Sequence, residues 1–225
     1  MKDRTENPLR FVPIEARWAD ELEAIELRCF PTTNPQDLYD ARSIRQLAEE
    51  FARGSFVVLD GDTPVAMGCG VRVNFDFDDY QHTFEELFPH DQGSGDDPDG
   101  EWYYGTDISV DPTYRRRGIG AHLYELRKQV CQDLNLRGII AGGAIPGFAD
   151  HKHEITAAEY VAKVVAGELY DRTLSFQLES GFEASGVLAN YLDDPAVDSW
   201  ASFIVWRNPK YLAPNGAPTE PGTSE

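Results

Sequence analysis

This sequence predicts one domain of mixed α/β class, on three observations. Strand-like and helix-like periodicities follow one another along the chain. Apolar residues make up 41 % of 225, enough to fill one sizeable core. No internal repeat divides the chain, so the elements belong to a single layered unit over residues 1–208, with a tail after it.

Each element has its own warrant. Arg10 to Ile14 alternates and is rich in branched residues, a short strand. Trp18, Leu22, Ile25 and Phe30 recur at helical spacing, and Pro31 ends that helix. Pro31 to Pro35 is a turn, and a second helix runs through Ile44, Leu47, Ala48 and Phe51 to Gly54. Asp60-Gly61 joins two strands, Ser55 to Leu59 and Pro64 to Val73, as a hairpin. Asn74 to Glu101 holds ten acids and no Lys or Arg, and reads as a long polar loop with a short helix near Phe84 to Phe88. It is not a calcium loop. Aligning Gly100 with the loop glycine puts Gly95 at the first ligand position and Thr106 where a bidentate Glu is needed.

Glu101 to Val110 is a strand. Gly120 to Leu134 is a helix with Leu123, Leu126, Val130 and Leu134 on one stripe. Arg137 to Ala141 is an apolar strand that exits at Gly142-Gly143. Thr156 to Glu159 is a capping box for a helix toward Glu168, and Arg172 to Ser180 is a further helix closed by Gly181. Val187 to Leu192 and Ser199 to Trp206 are the last strands. Residues 209–225 are Pro, Gly, Ala, Thr and Glu in the main, the composition of a disordered tail.

Charge narrows the function. Twenty basic against 39 acidic residues leave a net charge of −19, which excludes a nucleic-acid binder and disfavours an anionic membrane surface. The longest apolar stretch, Gly138 to Ala149, is interrupted by Pro146 and cannot span a bilayer. The first residues lack the apolar core of a secretion signal. Cys29, Cys69 and Cys131 are odd in number and scattered, which fits reduced thiols in a cytoplasmic protein. The acid excess serves solubility or the attraction of a cationic substrate.

The sharpest local feature is the turn from Val110 through Arg115, Arg116 and Arg117 to Gly118-Ile119-Gly120, between a strand and an amphipathic helix. A glycine-punctuated entry to a helix exposes backbone N–H groups at the positive end of the helix dipole, a site for a pyrophosphate. The same turn also fits an Arg-rich helix cap. No Lys-Ser/Thr follows the glycines, and Leu123 stands where a dinucleotide fingerprint needs its third glycine, so neither of those phosphate loops applies. His151 and His153 lie in a loop after Pro146 and Gly147, without a third fixed ligand, so no metal is expected. His122 reads as a surface residue and Cys131 as core packing.

Arg115-x-x-Gly118-x-Gly120 after Ile108-Ser109-Val110 resembles the coenzyme A loop of the GNAT superfamily of N-acetyltransferases. Gly181-Phe182, closing a helix, resembles that family's second landmark. The resemblance covers about residues 9 to 207. Ala141 to Gly147 and Gly167 to Phe182 are similar to the GNAT domain joined to nitrilase-type carbon–nitrogen hydrolases. It implies a twisted mixed sheet of about seven strands with flanking helices, and acetyl transfer from acetyl-CoA to an amine by direct attack in a ternary complex. The alternative is an acyl-CoA-binding module with little turnover. The acceptor is a small-molecule or peptide amine, and a homodimer is left open.

Carried over by position, the resemblance implies that Ile108 and Val110 pair with the pantetheine arm. Amides around Arg115, Arg117, Gly118, Ile119, Gly120 and Ala121 hold the pyrophosphate. Gly142 and Gly143 let the strands splay, or simply end a strand. The Val110 amide is the oxyanion donor. Where many relatives carry a strand Glu this chain has Tyr104, so the candidate catalytic residues are Asp107, as base directly or through water, and Tyr104, through its hydroxyl or a water it holds. Strand alternation puts Asp107 and Tyr104 on opposite faces. Gln177 replaces the tyrosine that many relatives use as the acid for the thiolate, and Tyr170 reads as a packing aromatic.

Overall fold

The computed structural model describes residues 8–89 and 93–213. Seven strands form one sheet: β1 (Arg10–Pro13), β2 (Phe56–Asp60), β3 (Thr63–Val73), β4 (Trp102–Val110), β5 (Gly138–Ala144), β6 (Glu183–Leu188) and β7 (Ala201–Arg207). Their order is β1-β2-β3-β4-β5-β7-β6. Only β4 and β5 run parallel among these neighbours; the others pair antiparallel. A parallel pair needs a crossover, and the helix α4 (Ile119–Asp133) provides it.

One face of the sheet is covered by α1 (Ala19–Cys29) and α2 (Ala41–Glu50). Ile14, Leu22, Ile25, Ile44 and Leu47 pack there on Val57, Met67, Val71 and Tyr104. The other face receives α4, α5 (Ala157–Val165) and α6 (Leu174–Glu179), over Tyr103, Ile139 and Ile204. The expected capping box at Thr156 is present, its hydroxyl accepting from the Glu159 N–H while the Glu159 carboxylate accepts from Thr156.

Three expectations change. The strand before the last one is Glu183–Leu188, four residues earlier than its pattern suggested, and Tyr191 leaves the sheet to enter the core. The described residues of 74–101, 74–89 and 93–101, are more than a polar loop: Phe75, Phe77, Tyr80, Phe84 and Phe88 turn inward, and Asp76, Asp78, Asp79, Glu85 and Glu86 face solvent. Phe75 and Tyr80 stack on Phe203, with centroids 5.4 and 5.3 Å away, and Phe88 meets Tyr104 at 5.1 Å. The segment is a strap across the sheet, containing the one-turn helix α3 (Phe84–Leu87). Lastly, Tyr170 is 74 % exposed rather than packed. Of the expected tail, Leu212 exchanges two hydrogen bonds with Asn135, and residues 214–225 lie outside the described residues.

Candidate active site

β4 stays paired with β3 as far as Val110, opposite Ala66, but meets β5 only at Tyr103 and Tyr104, opposite Ile139 and Ile140. Past that point the two parallel strands part. The register against β3 slips at the same place: Cys69 faces Asp107 while Gly70 faces Gly105, leaving Thr106 as the extra residue of a β-bulge. The slip overturns the alternation argument. Cys69 and Val71, opposite Asp107 and Tyr104, share a face, so both site residues point toward α1 and α2.

The glycine turn sits at the far end of the opening. Asp111 accepts from the Thr113 backbone (3.0 Å) and from Arg28 (2.8 Å), and Arg115 Nε donates to the Val110 carbonyl (3.2 Å), so the turn is tied to β4 and α1. Gly118 caps α4 with φ +77°, and nothing lies within 4 Å of where its Cβ would be. That left-handed conformation favours glycine. Ile119, Gly120 and Ala121 carry N–H groups that a helix start leaves without an intrahelical partner. Arg115, Arg116 and Arg117 are exposed around them. The Ile119 side chain is buried beside Val58, Val65 and Leu123, which anchors the turn. Ile108 and Val110 are half-buried against the same cluster, on β4's α4 face.

On the α1 face, Asp107 and Glu26 are 8 % and 2 % exposed, and the Ser109 hydroxyl donates to Glu26. Burial pushes both carboxyls up: Asp107 to about 6, and Glu26 well above the usual range, with the Asp107 charge adding to its shift. Tyr39 donates to Thr106 of the bulge at 2.9 Å. Nearer the point of parting, the Tyr104 hydroxyl lies 2.7 Å from His82 Nε2 and 3.0 Å from the Tyr191 hydroxyl. His82 Nδ1 lies 2.7 Å from the Tyr80 carbonyl, which can only accept, so Nδ1 carries the ring proton. Burial lowers the His82 pKa and keeps the ring neutral near pH 7.

Gly142 and Gly143 do not end the strand: β5 runs through them to Ala144, paired with β7, and the two face opposite sides of the sheet. A Cβ on Gly142 would lie 2.2 Å from the Tyr191 ring, and one on Gly143 would lie 2.6 Å from Gln177 Oε1. Gln177 is buried and its amide donates to Tyr124 at 3.2 Å. Arg127 of α4 is 2 % exposed and donates to the carbonyls of Cys69 and Asp107. Among the described residues, the buried side-chain atoms without a hydrogen-bond partner are Asp107 Oδ2, Arg127 Nε and Gln177 Oε1. All three belong to residues packed on β4 or β5 beyond the point of parting.

Sequence reasoning named Tyr104, Asp107 and Gln177 but missed Glu26, His82, Tyr124, Arg127 and Tyr191. Two carried a signal. Glu26 and Arg127 each stand four residues after a core leucine, Leu22 and Leu123, on the buried stripe of a helix. A charge on an apolar stripe is the informative exception to burial patterns. His82 had none, since only the folded strap brings it to Tyr104.

Comparison with known proteins agrees with this geometry. The model of the acetyltransferase (GNAT) family matches residues 19–145. The chain is 30 % identical over 193 residues to the uncharacterized N-acetyltransferase YkwB of Bacillus subtilis, covering 85 % of each chain. It is 35 % identical over 200 residues to the probable hydrolase YhcX of the same organism, covering 88 % of this chain but only 38 % of that relative. The loading GNATL domain of CurA from Lyngbya majuscula shares the fold, with a TM-score of 0.74 at 17 % identity over 89 % of this chain and 98 % of that one. A glycine turn at a helix start, a β4–β5 pair that parts beside it, and a family match across both place the chain by its own residues: it belongs to the GNAT acetyltransferase family of acyl-transferring enzymes.

Proposed function

We propose that this chain transfers the acetyl group of acetyl-CoA to an amine by direct attack in a ternary complex. The observation that carries the reading is the parting of β4 from β5 in line with the Gly118 helix start, where open space stands in place of a Cβ. Pantetheine lies along the β4 edge at Ile108 and Val110. The pyrophosphate meets the amides from Arg115 to Ala121, with arginine charge beside it. The Val110 amide receives the developing oxyanion.

Asp107 is the base. Burial raises both carboxyls of the pair, and Glu26 is engaged by the Ser109 hydroxyl, so Asp107 is the carboxyl left with a free oxygen for the proton. Its Oδ2 has no partner and is left to take the proton of the attacking amine. The acceptor is a cationic amine, a reading supported by the net charge of −19 and by the carboxyl pair beside the opening.

The test is thiol release from acetyl-CoA over a panel of primary amines, alongside calorimetry of acetyl-CoA binding. A second reading, an acyl-CoA-binding module with little turnover, is favoured by Gln177, which cannot give up a proton where many relatives have tyrosine. Tight binding with no thiol release for any amine would decide for the module. Absence of binding would overturn both.

A further inference from the structure

The position of Gln177 leaves the departing thiolate without the usual acid, and the groups beneath the opening indicate what replaces it. Gly105 is the first β4 residue past the point of parting. A Cβ there would lie 3.0 Å from Arg127 Nη1 and 3.7 Å from the Ala141 Cβ of β5. The guanidinium therefore lies under Gly105 on the α4 face of β4, reaching the β3–β4 bulge with Nη2, at the point where β5 leaves β4.

Its Nη2 donates to the backbone carbonyls of Cys69 and Asp107, Tyr103 is hydrogen-bonded to the same guanidinium, and its Nε has no partner. A cation that is 2 % exposed and not matched by a carboxylate in contact is costly. Clamping the bulge accounts for one nitrogen, not for placing a charge there. Tyr124 and Gln177 continue this layer toward Gly143: the Arg127 guanidinium lies 5.9 Å from the Tyr124 ring, and Gln177 donates to the Tyr124 hydroxyl.

We propose that Arg127 stabilises the thiolate of the departing coenzyme A, so that this site releases sulfur as an anion instead of protonating it. The inference rests on the coenzyme reading above. As the tetrahedral adduct collapses, the C–S bond breaks and its electron pair goes to sulfur. The proton lost from nitrogen goes to Asp107, and the thiolate takes a proton later from solvent.

The charge is felt by every acidic group around it. It opposes the rise that burial imposes on Tyr103, Tyr124, Cys69, Cys131 and Asp107. A sulfhydryl bound over the same layer is subject to the same field.

The experiment needs no acceptor. Free CoA is bound to the full chain, binding is verified by calorimetry, and the thiol is titrated by thiolate ultraviolet absorbance, with desulfo-CoA as the blank. In wild type the bound thiol should titrate at least about one unit below the thiol of free CoA titrated under the same conditions, a tenfold change in acidity. Arg127→Lys should keep part of the shift and Arg127→Met should lose it. A wild-type thiol with an ordinary or raised pKa overturns the inference whether or not the variants fold. So does an Arg127→Met protein that binds CoA and keeps the wild-type value. Failure of wild type to bind CoA is a separate outcome: it removes the coenzyme reading, and the inference falls with it.

Discussion

Asp107 is the residue on which the proposed chemical step turns. Replacing it with Asn keeps shape and hydrogen-bonding reach but removes the base. The rate of acetyl transfer should fall by about 10²–10⁴-fold, with acetyl-CoA affinity unchanged. Because the carboxyl must be ionised to act, the wild-type rate should decline as pH drops through about 6, an acid limb visible in kcat/KM and absent from Asp107→Asn. A wild-type profile flat between pH 5 and 8 would contradict the assignment. The buried pair also affects stability. A carboxyl whose folded pKa is raised binds its proton more tightly in the native state, so its contribution is full below the unfolded pKa and is lost as pH rises through the folded one. Glu26→Gln keeps an acceptor for Ser109 and cannot ionise. Its melting temperature should therefore exceed that of wild type at pH 8 by more than at pH 5. At the proposed coenzyme turn, Gly118→Val puts a β-branched side chain at φ +77° and into open space. The strain costs about 1–3 kcal/mol, which a folded domain can bear, but the side chain occupies the pyrophosphate's approach. Calorimetry should find no CoA binding to a folded variant.

Two elements decide how the site is assembled. The Thr106 bulge brings Asp107 and Tyr104 to one face, and it occurs where β4 loses β5. The strap residues 74–89 then cover that face with aromatic rings and deliver His82 to Tyr104. Its return is fixed by Asp96, whose side chain is 2 % exposed and pairs with Arg72 at 2.5 Å while accepting from the Arg72 backbone. Removing one partner of a buried pair leaves the other uncompensated. Asp96→Ala should lose about 3 kcal/mol, lower the melting temperature by several degrees, and open the strap to limited proteolysis between residues 74 and 101. Unchanged cleavage would show that the aromatic contacts alone hold it.

At the scale of the molecule, the acids are spread over the surface, and the nine ion pairs found among the described residues are mostly half-exposed or more on at least one side, so they contribute little each. Self-repulsion from a net charge of −19 remains. Added salt should screen it and raise the melting temperature between low and molar ionic strength. A flat or falling curve would favour the substrate-attraction reading instead. Among the described residues no helix is long and apolar enough to cross a membrane.

The sequence by itself determined what depends on neighbours along the chain. Helical stripes, the Asp60-Gly61 hairpin, the Thr156 capping box and the Gly118 turn are local, and each specified its element and, for the turn, the proposed coenzyme end of the site. Phe75 and Phe77 alternating with Asp76 and Asp78 carried the inward face of the strap as well, a two-residue period masked by the count of acids. Tertiary structure alone decided the reacting end. Whether Asp107 shares a face with Tyr104 depends on one extra residue in a register against β3, and a slip of one residue exchanges the faces of a strand. Glu26, His82 and Arg127 reach the opening from α1, the strap and α4, separated from their partners by between 20 and 83 positions in sequence. Burial shifts Glu26 and His82 toward their neutral forms, and burial is a property of the packed whole that no short window of residues contains.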